Sequence, residues 1–292
     1  MMKRVLLFVV TNLAIVVTLS IVTSLLGLGG YRTAAGLDYG ALAVFCVLWG
    51  SVGSFISLQI SRWMAKRSMG VQLVDGRTGR EDADWLYRTV QRLTTQAQLP
   101  MPEVGIYESP EVNAFATGPS KSRSLVAVSS GLLRGMRREE VEGVLAHEVS
   151  HIANGDMVTM ALIQGVVNAF VLFASRVIAN IARGAVDSRN AHVVQFVVTI
   201  VLDIALGILG SMVVAWYSRA REFRADAGAA ALSGRGNMIA ALRRLQSTHQ
   251  LVDPSNAALA TMKIAGGDKR WMMLFSTHPP LEERIAALES LR

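Results

Sequence analysis

His147 and His151 stand four residues apart, with Glu148 directly after the first, in the run His147-Glu148-Val149-Ser150-His151. On a helix, residues four apart stack on one face, so both imidazoles can reach a single metal ion. Zinc suits that geometry, and Glu148 can then act as a general base on a water at the open coordination position. A catalytic zinc takes three protein ligands plus water, so one ligand must come from elsewhere in the chain. The candidate is Glu222 in Arg221-Glu222-Phe223-Arg224-Ala225-Asp226, with Asp226 one helical turn further on the same face. Asp226 would accept a hydrogen bond from the outer nitrogen of one ligand histidine and so fix its tautomer. Taken singly, His-Glu-x-x-His also occurs on ordinary surface helices, and Asp226 also reads as a surface carboxylate paired with a nearby arginine. His192 and His249 have no partner motif and read as surface residues.

The histidine pair needs a helix, and the flanking residues supply its ends. It is expected to start at Arg137 or Arg138, with Glu139, Glu140 and Glu142 in its first turns, and to stop at the left-handed signal Asn154-Gly155. Ahead of it, residues 81–97 place Trp85, Leu86, Val90 and Leu93 on one side of a helix whose first turn is acidic. Short β-favouring runs at 103–108 and 124–128, with a third candidate strand at 113–117, predict a small sheet before the histidine helix.

The rest of the chain is too apolar for a soluble protein of 292 residues: 51% is hydrophobic and only 17% charged. Residues 5–31 and 39–60 carry no charge and are each long enough to cross a hydrocarbon core of about 30 Å as a helix. The first run exceeds the ~7–15 residues of a signal-peptide core and reads as an uncleaved anchor. Residues 157–175, closed by Arg176, and 193–217, which contain Asp203, read either as two further spans or as a pair of buried helices. An aspartate at mid-membrane costs about 2.5–3.5 kcal/mol, so Asp203 should face protein or water, in a packing role. Lys3 and Arg4 precede the first span and Arg62, Lys66 and Arg67 follow the second, which puts both ends of that hairpin in the cytoplasm. If the second pair also spans, Arg219, Arg221 and Arg224 return the chain to the same side, although Arg183 and Arg189 in the outer loop blunt the signal.

This divides the chain into an N-terminal hairpin (1–60), a first soluble part (61–156), a second hairpin (157–217) and a second soluble part (218–292). A helical hairpin brings the chain back to the side it left, so the histidine helix and Glu222 would emerge close together despite their separation in sequence. The net charge of +7 lies beside apolar segments rather than in a basic stripe with interleaved aromatics, which speaks for membrane orientation and against nucleic acid. The single cysteine, Cys46, excludes an intrachain disulfide and a cysteine metal cluster.

Five stretches in order complete the pattern: the N-terminal hairpin, Asn113-Ala114-Phe115-Ala116-Thr117-Gly118, residues 146–159 (AHEVSHIANGDMVT), Glu222 to Asp226, and Ser276-Thr277-His278-Pro279-Pro280 before a final helix containing Arg284. With these the sequence closely resembles the HtpX family of bacterial heat-shock membrane zinc endopeptidases, relatives of the CAAX prenyl proteases. The resemblance implies an α+β, predominantly helical integral membrane protein with up to four transmembrane helices and a thermolysin-like zinc metalloprotease domain. It implies one Zn2+ per subunit on His147, His151 and Glu222, with Glu148 as catalytic base. It further implies that Asn113, Ala114, Phe115 and Ala116 form an edge strand that pairs with substrate backbone, Asn113 contacting the main chain. By themselves these residues read as a turn asparagine and a core phenylalanine. His278 would stabilise the tetrahedral oxyanion; by itself it reads as a loop residue before the helix that Pro279-Pro280 initiates. The implied setting is the bacterial inner (plasma) membrane, multi-pass, with the catalytic domain and both termini cytoplasmic. The implied partners are the lipid bilayer and damaged or misfolded membrane-protein substrates, with self-cleavage, in envelope quality control.

Overall fold

In the computed structural model, which describes residues 17, 21, 24–25, 32–33, 36–252 and 274–291, the chain is mostly helical with one four-stranded sheet. It divides into two compact units, Met1–Leu58 with Thr159–Val214, and Gln59–Val158 with Ala215–Arg292. The expected first span, 5–31, lies almost wholly outside the described residues.

Three helices among the described residues are long and apolar enough to cross a membrane: α1 (Tyr39–Met69), α5 (Asp156–Gly184) and α6 (Ala191–Ser233). The parts of them in the first unit turn Val47, Phe55, Val166, Phe170, Phe196 and Ile204 outward, which water would penalise and lipid would not. Where they touch each other the residues are small. A Cβ on Gly50 would sit 2.4 Å from the Ala169 backbone nitrogen, so that contact depends on glycine, and Gly165 faces Ser51. Asp203 pairs with Arg176 at 3.0 Å and accepts from Ser175, so its charge is met within the unit. α5 continues past the expected end at 175 to Gly184.

The second unit is built on strands β1 (Gln72–Val74), β2 (Glu103–Tyr107), β3 (Ala114–Ser120) and β4 (Arg123–Ser129), in spatial order β1-β2-β4-β3. β2 and β4 run parallel, with Val104 opposite Val126 and Ile106 opposite Val128; the outer pairs are antiparallel. The alternation of these strands sends Val104, Ile106, Val126 and Val128 to one face. There α2 (Glu81–Gln96) adds Leu86, Val90 and Leu93, and α4 (Arg138–Asn154) adds Leu145, Val149 and Ile152. Helices α7 (Arg235–Val252) and α8 (Leu281–Ser290) close the same core with Met238, Leu242, Ile285 and Leu288. Each large aliphatic side chain buried this way contributes about 1.5–3 kcal/mol. The opposite face holds Tyr107, Leu125 and Ala127 against Phe115.

Local signals set the helix ends. The carboxylate of Glu140 accepts from the Arg137 backbone N–H at 2.8 Å, which satisfies an amide at the start of α4. Ser129 caps the short α3 (Ser130–Gly135) by accepting from the Leu132 N–H at 2.9 Å. Gly155 ends α4 in the left-handed conformation, φ 69°, and α5 starts at the next residue. At residue 217 the outcome differs from expectation. α6 does not break there but runs on to Ser233, because 218–233 is rich in alanine and arginine, contains no proline and carries the single Gly228 within the helix, and the chain turns left-handed only at Gly234, φ 91°.

Candidate metal centre

The centre forms where α4 meets the last turns of α6, with the Arg284 side chain of α8 reaching in. Only small residues permit that approach of α4 to α6: a Cβ on Gly228 would meet the Ser150 hydroxyl at 2.7 Å. The packing brings His147 and His151 of α4 to Glu222 of α6, all three buried, with ligand atoms within 4.8 Å of one another. The Nε2 atoms of His147 and His151 lie 3.1 Å apart. His147 Nε2 is 3.4 Å from Glu222 Oε2, and His151 Nε2 is 3.4 Å from Glu222 Oε1.

These atoms fit a shared cation better than they fit each other. Both Glu222 oxygens are fully buried and complete no hydrogen bond among the described residues, although histidine nitrogens lie at 3.0–3.4 Å. The Arg284 and Arg221 guanidinium groups come only to 3.5 and 3.6 Å of these oxygens, so the carboxylate keeps acceptor capacity that a cation between the histidines would use. Two imidazole nitrogens and a carboxylate oxygen form a donor set that suits zinc.

Each imidazole is held from behind. His147 Nδ1 is 2.9 Å from Asp226 Oδ1, and Asp226 in turn accepts from Arg284 through both its oxygens, at 2.7 and 2.6 Å. His151 Nδ1 is 2.6 Å from Asp156 Oδ2. Burial pulls the His147 ring toward neutrality, but Asp226 and Glu222 outweigh it and raise the pKa. Burial acts likewise on His151, where Asp156 and Glu222 push the value up to about 9. Both rings are thus strongly bound to anions and present their Nε2 edges inward.

A cleft of about 750 Å³ opens beside these groups. Glu148 is half-buried, lines the cleft with His147 and Glu222, and makes no hydrogen bond or ion pair among the described residues. His278 lines it too, 61% exposed, with Nδ1 3.0 Å from Glu222 Oε2. Its loop is tied to α6 by Arg219, which donates to the carbonyls of Ser276 at 2.7 Å and Leu274 at 3.3 Å. Leu132, Val144, Met238, Leu242 and Leu281 make the remaining wall apolar.

Asn113 and Ala114 line this cleft as well, whereas Phe115 and Ala116 do not. The strand begins at Ala114 rather than 113 and is the edge strand of the sheet. Its alternation turns the Phe115 ring to the far face, 5.8 Å from the Tyr107 ring, and packs Ala116 into the main core. Two residues of the centre were not singled out for a role from sequence. Arg284 contacts Asp226 across 58 positions, a separation that no local spacing reveals. Asp156 was legible in principle, since a left-handed stop at Gly155 folds the next residue back over the last helical turn.

Residues 80–292 match the family model described as Peptidase family M48. The chain is 53% identical over 294 residues to "Protease HtpX homolog" of Thiobacillus denitrificans, covering all of both chains. It is 51% identical over 298 residues to "Protease HtpX" of Shewanella oneidensis, covering 99% of this chain and all of that one. Among solved structures it resembles the crystal structure of S. mikatae Ste24p, with a TM-score of 0.67 and 17% identity, over 99% of this chain and 67% of that one. The latter is a likeness of fold.

Proposed function

Starting from a chain that belongs to peptidase family M48 and, within it, to the HtpX membrane metalloproteases, we propose a zinc-dependent endopeptidase that hydrolyses membrane proteins at the cytoplasmic face of the inner membrane. What carries the reading is the convergence of His147, His151 and the buried Glu222 carboxylate beside Glu148 in one cleft.

His147, His151 and Glu222 would hold one Zn2+. Bound there, the ion supplies a Lewis acid that polarises the scissile carbonyl and lowers the pKa of a water toward about 7. Glu148 takes the proton of the attacking water and delivers it to the leaving amine. His278, at the mouth of the cleft, donates to the oxygen on which negative charge develops. The substrate lies extended along the edge of β3 and pairs with its backbone from Asn113 and Ala114 onward. The free edge of β3 and the position of those two residues in the cleft support this. Asp226 holds the His147 ring in register while this happens.

The orientation rests on Lys3, Arg4, Arg62, Lys66 and Arg67, which flank the first hairpin and favour the cytoplasmic side for residues 61–156 and 218–292. The substrates are damaged or misfolded membrane proteins, the role is envelope quality control under heat stress, and the solubilised chain cleaves itself. Membrane proteomes of heat-stressed cells carrying wild type or Glu148→Gln test this. Fragments of membrane proteins cut in cytoplasmic segments should vanish in the variant. Identical fragment sets would contradict the proposal.

A further inference from the structure

We propose that Asp156 is the positioning residue of His151, so that the centre is held by two carboxylate props, one per imidazole; this rests on the metal reading of the site. Asp156 is the first residue of α5 and only 1% exposed. One of its oxygens lies 2.6 Å from His151 Nδ1, while the other faces Arg224 Nη2 at 3.6 Å. Arg224 itself stacks over Tyr217 and donates to its hydroxyl at 3.2 Å. Each oxygen of the carboxylate thus faces a partner, the ring on one side and the guanidinium on the other.

The consequence follows from imidazole chemistry. A carboxylate accepts only, so the Nδ1 it faces carries a proton, and Nε2 is the nitrogen whose lone pair an ion would take. That nitrogen lies 3.4 Å from Glu222 Oε1 and 3.1 Å from Nε2 of His147. Asp226 imposes the same tautomer on His147 from the other side of the site. The two props come from different elements, α5 and α6, and each belongs to a different histidine. Removing one should therefore loosen one ligand and leave the other in place. Partners of this kind are worth about 10–100-fold in metal affinity.

Asp156 also has a plain structural duty, since an acid in the first turn of a helix favours the dipole by about 0.3–1 kcal/mol. The test separates the duties by using the full chain in detergent with Glu148→Gln in the background, which silences proteolysis. Zinc affinity is measured by competition with a chelator for this parent, for Asp156→Asn and for Asp156→Ala. The visible spectrum of the cobalt(II)-loaded form and the unfolding temperature of the metal-free form are recorded for all three. Both Asp156 variants should bind zinc about 10–100-fold more weakly and shift the cobalt band, a spectroscopic change that a loss of fold stability alone does not produce. Affinity within about threefold of the parent in both variants overturns the inference. So does a weaker affinity with the cobalt band unmoved in both. A parent that takes up no zinc overturns the metal reading, and the inference with it.

Discussion

Arg284 holds Asp226 with two hydrogen bonds, Nε to Oδ2 at 2.7 Å and Nη2 to Oδ1 at 2.6 Å, and so joins α8 to the helix that carries Glu222. Both side chains are buried, and the guanidinium also lies 3.5 Å from Glu222 Oε2. A buried pair of this kind costs more to break than it is worth as a whole, because the survivor is left charged and dry. Arg284→Ala is predicted to destabilise the protein by about 3–5 kcal/mol, read as a lower unfolding temperature in detergent. Arg284→Lys, which lacks the planar fork, should recover only part of the loss. An Arg284→Ala chain as stable as wild type would refute the assignment.

Gly143 sits on α4 one turn before His147, where the backbone of α7 passes close by. A Cβ there would lie 2.6 Å from the Asn237 carbonyl oxygen and 2.9 Å from its carbon. Backbone on both sides cannot yield as a side chain can, so Gly143→Ala should cost about 1–3 kcal/mol of overpacking. Part of that is offset by the better helix propensity of alanine, worth about 1 kcal/mol. The net change is predicted to be a measurable fall in unfolding temperature, and a rise would show that α4 and α7 are not in this contact.

Arg176 and Asp203 meet at 3.0 Å among apolar helices. Replacing either alone with leucine strands a charge that costs about 2.5–3.5 kcal/mol in the bilayer. Replacing both removes the problem. Arg176→Leu and Asp203→Leu should each lower the yield of folded protein in membranes, and the double variant should recover most of it. A double variant worse than either single one would point to a role beyond pairing.

The proposed orientation is checked by labelling. Cys46 is buried, so an introduced cysteine is read against little background. A cysteine at exposed Ser188, between α5 and α6, should react with a membrane-impermeant reagent in intact spheroplasts, and one at exposed Ser122 only after lysis. Labelling of Ser122→Cys in intact spheroplasts would reverse the orientation.

Features that depend on neighbours in sequence could be read without the structure. The start of α4 at Arg138 and its stop at Gly155 follow from Glu140 and from Asn154-Gly155, and the uncharged run from Tyr39 marks α1. The meeting of Glu222 with His147 and His151 was legible only because two apolar runs separate them and a hairpin returns the chain. What stayed hidden depends on distant partners. Arg176 read as a helix terminus because nothing near it discloses that Asp203, 27 positions on, neutralises it. The continuation of α6 to Ser233 was obscured by the change from apolar to charged residues at 218, which alters the solvent of a helix without ending it. The side to which Phe115 turns depends on the register of β3 against β4, which its own residues do not fix.

The central claim is that Glu148 moves protons at a metal it does not bind. Purified wild type and Glu148→Gln should each contain about one zinc per chain by elemental analysis, while cleavage of a membrane-protein reporter falls by about 10²–10⁴-fold in the variant. A Glu148→Gln chain that retains its zinc and cuts the reporter at the wild-type rate would contradict the account.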